Sequence, residues 1–358
     1  MEFATQTVGE FLFGSGSIAE LGGLLSTRRQ GNGVVFLIDH FFDGHTLVDR
    51  LPIEPTDLCC FVDSTHEPTT DGVDACIADI MTRGNGEWDA VVGIGGGCVL
   101  DTAKAVSNLL GNGGQAADFQ GWDLLEKPGV FKVGVPTLSG TGAEASRTCV
   151  MMNYEKNLKL GMNSKFTIFD RLVLDPELTA SVPREQYFFT GMDTYIHCIE
   201  SLNGRYRHPL ADACSREALN LCREVFLSDD MMSPENREKL MVASYLGGSA
   251  IGNSFVGLVH PLSAGLSMVL GLHHCEANCI VMNQMHEFYS EETAEFKKMV
   301  LAQGIHLKSR LCEGIDDSQF QALHGASIIH EKPLANALGD DFVTVLTTAK
   351  TRQLFGYM

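Results

Sequence analysis

The sequence predicts an α/β first half, with a parallel sheet covered by helices, followed by an all-helical second half. Three observations lead there. Short β-branched apolar runs alternate with helix-patterned stretches up to about residue 180. Two Gly/Thr/Ser-rich turns directly follow such runs, where an open α/β sheet builds its ligand crevice. Beyond Pro183 strand signals almost vanish and helical spacing takes over.

The elements follow in order. GVVFLID at 33–39 and DLCCFVD at 57–63 are apolar runs ending in a carboxylate, and both read as strands. WDAVVGIGGG at 88–97 is a third, running into glycines. VLDTAKAVSNLLG at 99–111 has helical spacing and a terminal glycine. FKVGVPT at 131–137 is a further strand. Pro176 and Pro183 punctuate the change of pattern. The boundary is placed at about 180, with an α/β domain over 1–180 and a helical domain over 181–358. In the second half REQYFFTGMDTYIHCIESL, PLADACSREALNLCREVFL and PENREKLMVASYLGGSAIG read as helices. The tail DDFVTVLTTAKTRQLFGYM fits helix and irregular structure equally.

Composition narrows the partners. The chain has 358 residues, is 44% hydrophobic and carries a formal net charge of -19. Such acidity repels phosphate backbones and anionic lipid, so nucleic acid and membrane are not expected as partners. A small-molecule substrate is. No apolar run approaches the roughly 18–20 residues of a membrane span, and the N-terminal residues lack signal-peptide pattern. The 11 cysteines show no CxxC spacing and read as reduced, buried hydrophobes, so the expected location is cytoplasmic.

GIGGGCVLDTAK at 93–104 sets Gly95, Gly96 and Gly97 between a strand and a helix. Glycines permit close backbone approach, and a helix N-terminus offers N–H groups to phosphate. The spacing is not GxGxxG, and a turn without a ligand would look the same. VPTLSGTGAEAS at 135–146 is a second such loop, which strengthens the phosphate reading. Asp39 ends the first strand, where an acid can receive the ribose hydroxyls of NAD and repel the extra phosphate of NADP; a turn aspartate or a helix cap fits the position equally.

Asp193 and His197 are four apart, one helical turn on one face. His260 and His274 follow, fourteen apart. One carboxylate and three imidazoles complete a shell for a divalent transition metal, which can polarise an alcohol or a carbonyl. Taken singly, each histidine is more often structural than a ligand. His273 rivals His274, but neighbours on a helix point about 100° apart, so one ion does not take both. RYRHP at 205–209 groups Arg205, Arg207 and His208, which could meet a substrate carboxylate or simply face solvent. Glu144, Lys159 and Glu200 are further polar candidates.

FLFGSGSIAELG at 11–22, EPTTDGV at 67–73, VVGIGGGCVLDTAKAV at 91–106, VPTLSGTGAE at 135–144, VLDPELTASVP at 173–183, GMDTYIHCIES at 191–201 and GLVHPLSAGLSMVLGLHH at 257–274 together resemble the iron-containing (group III) alcohol dehydrogenases. The blocks occur in family order over most of the first 280 residues. The resemblance implies NAD(H), with Gly95, Gly96 and Gly97 on its diphosphate and Thr137, Ser139 and Thr141 along the nicotinamide. It places Asp39, Asp101 and Lys159 at the same cofactor site. It implies iron or zinc at Asp193, His197, His260 and His274, in what is expected to be a homodimer.

Several positions depart from the family pattern. Cys98 replaces the serine of GGGS, Ala264 replaces a histidine four residues after the third ligand, and His273-His274-Cys275 replaces PHG. The missing histidine leaves His208 and His273, or water and a ribose hydroxyl, to move the proton. The departures are similar to those of a branch that oxidises the C8 hydroxyl of the lipopolysaccharide sugar acid 3-deoxy-D-manno-octulosonate (Kdo). The expected activity is oxidation of a primary alcohol to an aldehyde by hydride transfer to a nicotinamide cofactor. A short-chain alcohol or diol dehydrogenase or an aldehyde reductase is the alternative within the family. A dehydroquinate synthase-like lyase is another, although Lys239 is the only lysine between 185 and 280. A non-catalytic NAD- or metal-binding protein, and an enzyme that passes its electrons on to oxygen, complete the rivals.

Overall fold

The computed structural model describes residues 6–84 and 86–358. The chain divides into two compact units, one ending at Ser181 and the other running Val182–Met358. In the first, β1 (Glu10–Phe13), α1 (Leu21–Ser26), β2 (Val34–Asp39), α2 (Thr46–Asp49), β3 (Leu58–Val62) and α3 (Thr70–Arg83) lead to β4 (Ala90–Gly95) and α4 (Gly97–Asn112). Then come β5 (Gly121–Trp122), β6 (Lys132–Pro136), β7 (Thr148–Asn153), β8 (Leu158–Asn163) and β9 (Arg171–Leu174).

Six strands form one sheet in the order β1-β9-β6-β4-β2-β3, parallel throughout. Central parallel strands are buried on both faces and need continuous apolar runs. VVFLID of β2 and AVVGIG of β4 supply them, and every residue of both is buried. The strand order reverses between β2 and β4, so the ends of these two strands flank the switch point where such sheets bind ligands. Asp39 ends β2 and Gly95 ends β4. A second sheet, β5-β8-β7, was not legible in the sequence; β7 and β8 form an antiparallel hairpin.

The second unit contains, among the described residues, helices and no strands. They are α5 (Arg184–Asn203), α6 (Pro209–Phe226), α7 (Pro234–Asn253), α8 (Val259–Leu270) and α9 (His274–Met282). After these come α10 (Ser290–Ala302), α11 (Asp317–Ile328), α12 (Glu331–Leu338), α13 (Phe342–Val345) and α14 (Thr348–Phe355), the last two resolving the ambiguous tail as helical. Helix α5 packs against α6, α7 and α9, and nearly all of it from Tyr187 to Ser201 is buried. A helix apolar all round belongs in a core. Tyr187, Phe188, Met192, Tyr195, Ile196 and Ile199 fill that core, with Phe188 edge-on to Phe226. Asp193, His197 and Glu200 are buried in the same helix, where polar groups are stable only with partners. Among the described residues no helix is long and apolar enough to cross a membrane.

Candidate functional site

Asp193, His197 and Glu200 lie one helical turn apart on the same face of α5. His260 is the second residue of α8 and His274 the first of α9. Gly271, in the left-handed region at φ 69°, closes α8 and lets the chain turn back, so histidines fourteen apart in sequence converge. His260 Nε2 is 3.3 Å from Asp193 Oδ1, His197 Nε2 is 3.6 Å from the same oxygen, and His274 Nε2 is 3.7 Å from Oδ2. Ligand atoms of Asp193, His260 and His274 all fall within 4.8 Å of one another. His197 stands beside this group, its ring stacked on His260 with centroids 4.7 Å apart and 14° between planes.

Four donors bonded at about 2.1 Å around a tetrahedral ion lie about 3.4 Å from each other. The separations of His260 and His274 from Asp193 are close to that edge length, so these three residues fit a divalent cation, with His197 beside them. The electrostatics agree. Burial alone would raise the Asp193 carboxyl, but His197, His274 and His260 outweigh it and hold the group far below the usual carboxylate range. Burial pushes His197 down to about 4 against the attraction of Asp193. Burial would also lower His260, but Glu200 and Asp193 overcome it and raise the ring to about 9. A buried carboxylate held ionised among imidazole nitrogens is a donor set for a cation.

Two residues join this site that sequence reasoning did not assign to it. Asn278 Nδ2 reaches Asp193 Oδ1 at 2.7 Å, His274 Nε2 at 3.2 Å and His260 Nε2 at 3.3 Å. Its signal was the four-residue step from His274, which repeats the Asp193/His197 spacing. Cys275 Sγ lies 3.7 Å from Asp193 Oδ2. Glu200, noted in the sequence only as a polar neighbour, contacts His260 Nδ1.

Of the two proposed proton relays, His208 has partners within the fold. His208 caps α6: its Nδ1 accepts from Ala211 N at 3.5 Å and its Nε2 lies 3.1 Å from the Asn253 carbonyl. Both ring nitrogens thus have partners within the helical unit. In the RYRHP cluster Arg205 pairs with Asp340 at 2.6 Å and Arg207 with Asp212 at 2.6 Å, in keeping with the reading of the cluster as surface charge. His273 is exposed at the start of α9, outside the group of converging ligand atoms.

In the α/β unit the glycines sit where the sequence put them. A Cβ on Gly95 would lie 2.6 Å from Val99 Cγ2 and 3.1 Å from Asp39 Cβ, and one on Gly96 would lie 2.6 Å from Leu138. One on Gly97 would come within 3.0 Å of Thr141 Cγ2. The glycines therefore let the first loop close on the second, and Thr137 N donates to Gly95 O at 3.0 Å. Gly96 gives α4 no side-chain cap, so its first N–H groups remain for a phosphate. Thr137 and Ser139 are buried beside this turn, and Ser139 Oγ meets no hydrogen-bond partner among the described residues. Thr141 Oγ1 accepts from Ala143 N at 3.3 Å.

Asp39 Oδ1 accepts from Ser64 Oγ at 2.9 Å and from Phe41 N at 3.1 Å. Asp101 Oδ2 accepts from Val150 N at 2.9 Å, tying α4 to β7, while burial pushes the group up to about 6. Lys159 Nζ is 3.2 Å from Glu67 Oε2, so its charge is met inside the unit. An uncapped helix N-terminus, a buried hydroxyl without a partner and an acid at the end of β2 fit a dinucleotide.

Comparisons with known proteins place this geometry in a lineage. The family model described as iron-containing alcohol dehydrogenase matches residues 9–176, and its C-terminal counterpart matches 188–324. A sulfoacetaldehyde reductase of Bilophila wadsworthia (strain 3_1_6) is 30% identical over 218 residues, 60% of this chain and 55% of that protein. An NAD-dependent methanol dehydrogenase of Bacillus methanolicus is 34% identical over 203 residues, 56% of this chain and 53% of that one. The chain thus spans about half the length of the curated relatives it matches. Among solved structures, a 1,3-propanediol oxidoreductase superposes with TM-score 0.84 at 20% identity, covering 99% of this chain and 100% of its own. The sulfoacetaldehyde reductase of Bifidobacterium kashiwanohense in complex with NAD+ gives 0.79 at 21%, covering 99% and 98%. At these identities the structural likeness establishes the fold. The two family matches together take in most of the sequence, and the chain belongs to the iron-containing alcohol dehydrogenase family.

Proposed function

We propose that this chain is a divalent-metal, NAD(H)-dependent dehydrogenase that interconverts a primary alcohol and its aldehyde. The observation that carries the reading is the set of three imidazole Nε2 atoms at 3.3–3.7 Å from one buried carboxylate. Asp193, His197, His260 and His274 would hold the ion, iron or zinc. A cation held there supplies Lewis-acid polarisation of a hydroxyl or carbonyl oxygen, and a nicotinamide supplies the hydride acceptor.

The residues do the rest. Gly95, Gly96 and Gly97 open the α4 N-terminus to a diphosphate, and Thr137, Ser139 and Thr141 line the second loop. Asp39 favours NAD by receiving ribose hydroxyls and repelling a 2′-phosphate. Ala264 follows His260 by one turn of α8 and offers no ionisable group. With His208 engaged as a cap, the proton leaves through His273, solvent or a ribose hydroxyl. Reduced cysteines and an acidic surface suit a cytoplasmic enzyme. Strand β1 is an edge of the sheet and exposes Phe11 and Phe13, which suits a homodimer.

Ala264 also favours a second reading, in which the substrate is a polyhydroxylated sugar acid such as Kdo oxidised at C8. Alanine is smaller than the histidine of the family pattern, and a substrate rich in hydroxyls brings its own proton path. One experiment serves both readings. The metal-loaded protein is incubated with NAD and Kdo, short alcohols or diols, while mass and absorbance at 340 nm are followed. A product two hydrogens lighter with rising absorbance is expected for one member of the panel, and that member names the substrate. No mass change in any of them, nor NADH consumption with the corresponding aldehydes, would overturn the proposal.

A further inference from the structure

Glu200 makes two contacts that bear on a single feature, the start of α8. Its side chain is fully buried. Oε1 accepts from Val259 N at 2.5 Å, and Oε2 meets Nδ1 of the next residue, His260. The first N–H groups of a helix have no partner within it, and Glu200 supplies one from another helix. The turn before α8 is shaped to bring these groups together. A Cβ on Gly257 would lie 3.2 Å from Glu200 Cβ and 2.9 Å from the Tyr289 hydroxyl, so only glycine fits that approach.

We propose that Glu200 is the positioning residue of the metal centre, fixing His260 in the tautomer that carries its proton on Nδ1 and turns the Nε2 lone pair toward Asp193. This rests on the reading that Asp193, His197, His260 and His274 hold a divalent cation. A neutral imidazole has one N–H, and the bond made by one nitrogen decides which nitrogen can be a ligand. A carboxylate only accepts, so a neutral His260 facing Glu200 must place its proton on Nδ1. Nε2, 3.3 Å from Asp193 Oδ1, is then left as a donor to a cation. The second oxygen holds Val259, so ring orientation and helix start are fixed by one side chain. His197 is held differently: its Nδ1 meets no hydrogen-bond partner among the described residues. Carboxylates behind ligating histidines are typically worth 10–100-fold in metal affinity.

Glu200→Gln separates this role from packing. Glutamine fills the same volume but has one acceptor oxygen for two N–H donors. Satisfying Val259 turns its NH2 toward His260 and favours the wrong tautomer. Zinc affinity, by chelator competition, is expected to weaken about 10–100-fold, with the visible spectrum of the cobalt-loaded protein displaced and the far-UV circular dichroism of the metal-free protein unchanged. Glu200→Asp keeps both acceptors but withdraws them by one methylene, and an intermediate loss of affinity with a displaced cobalt spectrum is expected. Should Glu200→Gln fail to fold, Glu200→Asp decides alone. Wild-type affinity and spectrum in the folded variants would overturn the proposal. His260→Ala separates the two failures: if it loses zinc while the Glu200 variants do not, the metal reading stands without this role. If it too binds zinc like the wild type, the metal reading itself falls.

Discussion

Asp193 shows why a polar residue in the middle of a core helix is informative. A carboxylate with no exposed surface is costly unless charge or donors surround it. Here three imidazoles and an amide do, drawn from α5, α8 and α9. His208 is the counterexample at the same scale. In sequence both are polar residues beside apolar runs, and only the partners distinguish them. His208 spends its nitrogens on Ala211 N and the Asn253 carbonyl, so it belongs to the start of α6. Replacing it with alanine should cost about 0.5–2 kcal/mol, the usual effect of losing a helix cap. Turnover per metal-loaded chain should not change. Urea unfolding beside steady-state rates checks this, and a collapse of turnover at retained stability would return His208 to the chemistry.

At the scale of elements, strands and core helices were readable because burial on both sides forces continuous apolar runs, as in VVFLID and AVVGIG. The β7–β8 hairpin was not. TCVMMN and LKLGMN carry no clean alternation, and the turn between them has Asn157 rather than glycine at φ 52°. The candidate ligands Asp193, His197, His260 and His274 were legible by type and spacing. Their convergence was not, because it depends on Gly271 and on the Glu200 contact, which link separate helices. Asp57 shows another connection that sequence does not reveal. It pairs with Arg29 through both oxygens at 2.6 and 2.7 Å and accepts from Val34 N at 2.9 Å, pinning the segment after α1 to the starts of β2 and β3.

Burial alone would raise the Asp57 carboxyl, but Arg29 and the backbone donors outweigh it and hold it low. A lowered folded value stabilises above the ordinary carboxyl pKa near ~4 and is lost as pH falls through the folded value. Asp57→Asn should therefore cost about 2–4 kcal/mol at pH 7, with the difference from wild type narrowing by pH 3. A constant difference across that range would show that the charge is not what matters.

At the scale of the whole molecule, the division of labour follows the two compact units. The parallel sheet ends β2 at Asp39 and β4 at Gly95, and the helical unit holds the buried carboxylate with its imidazoles. A net charge of -19 over 358 residues keeps other acidic macromolecules away without deciding the chemistry. The chemistry rests on whether Asp193, His197, His260 and His274 hold one ion. Elemental analysis of the wild type and of His260→Ala, each reconstituted with iron or zinc and then dialysed, tests this most directly. One divalent ion per wild-type chain and close to none in the variant is the expected result; equal metal in both would contradict the ligand set.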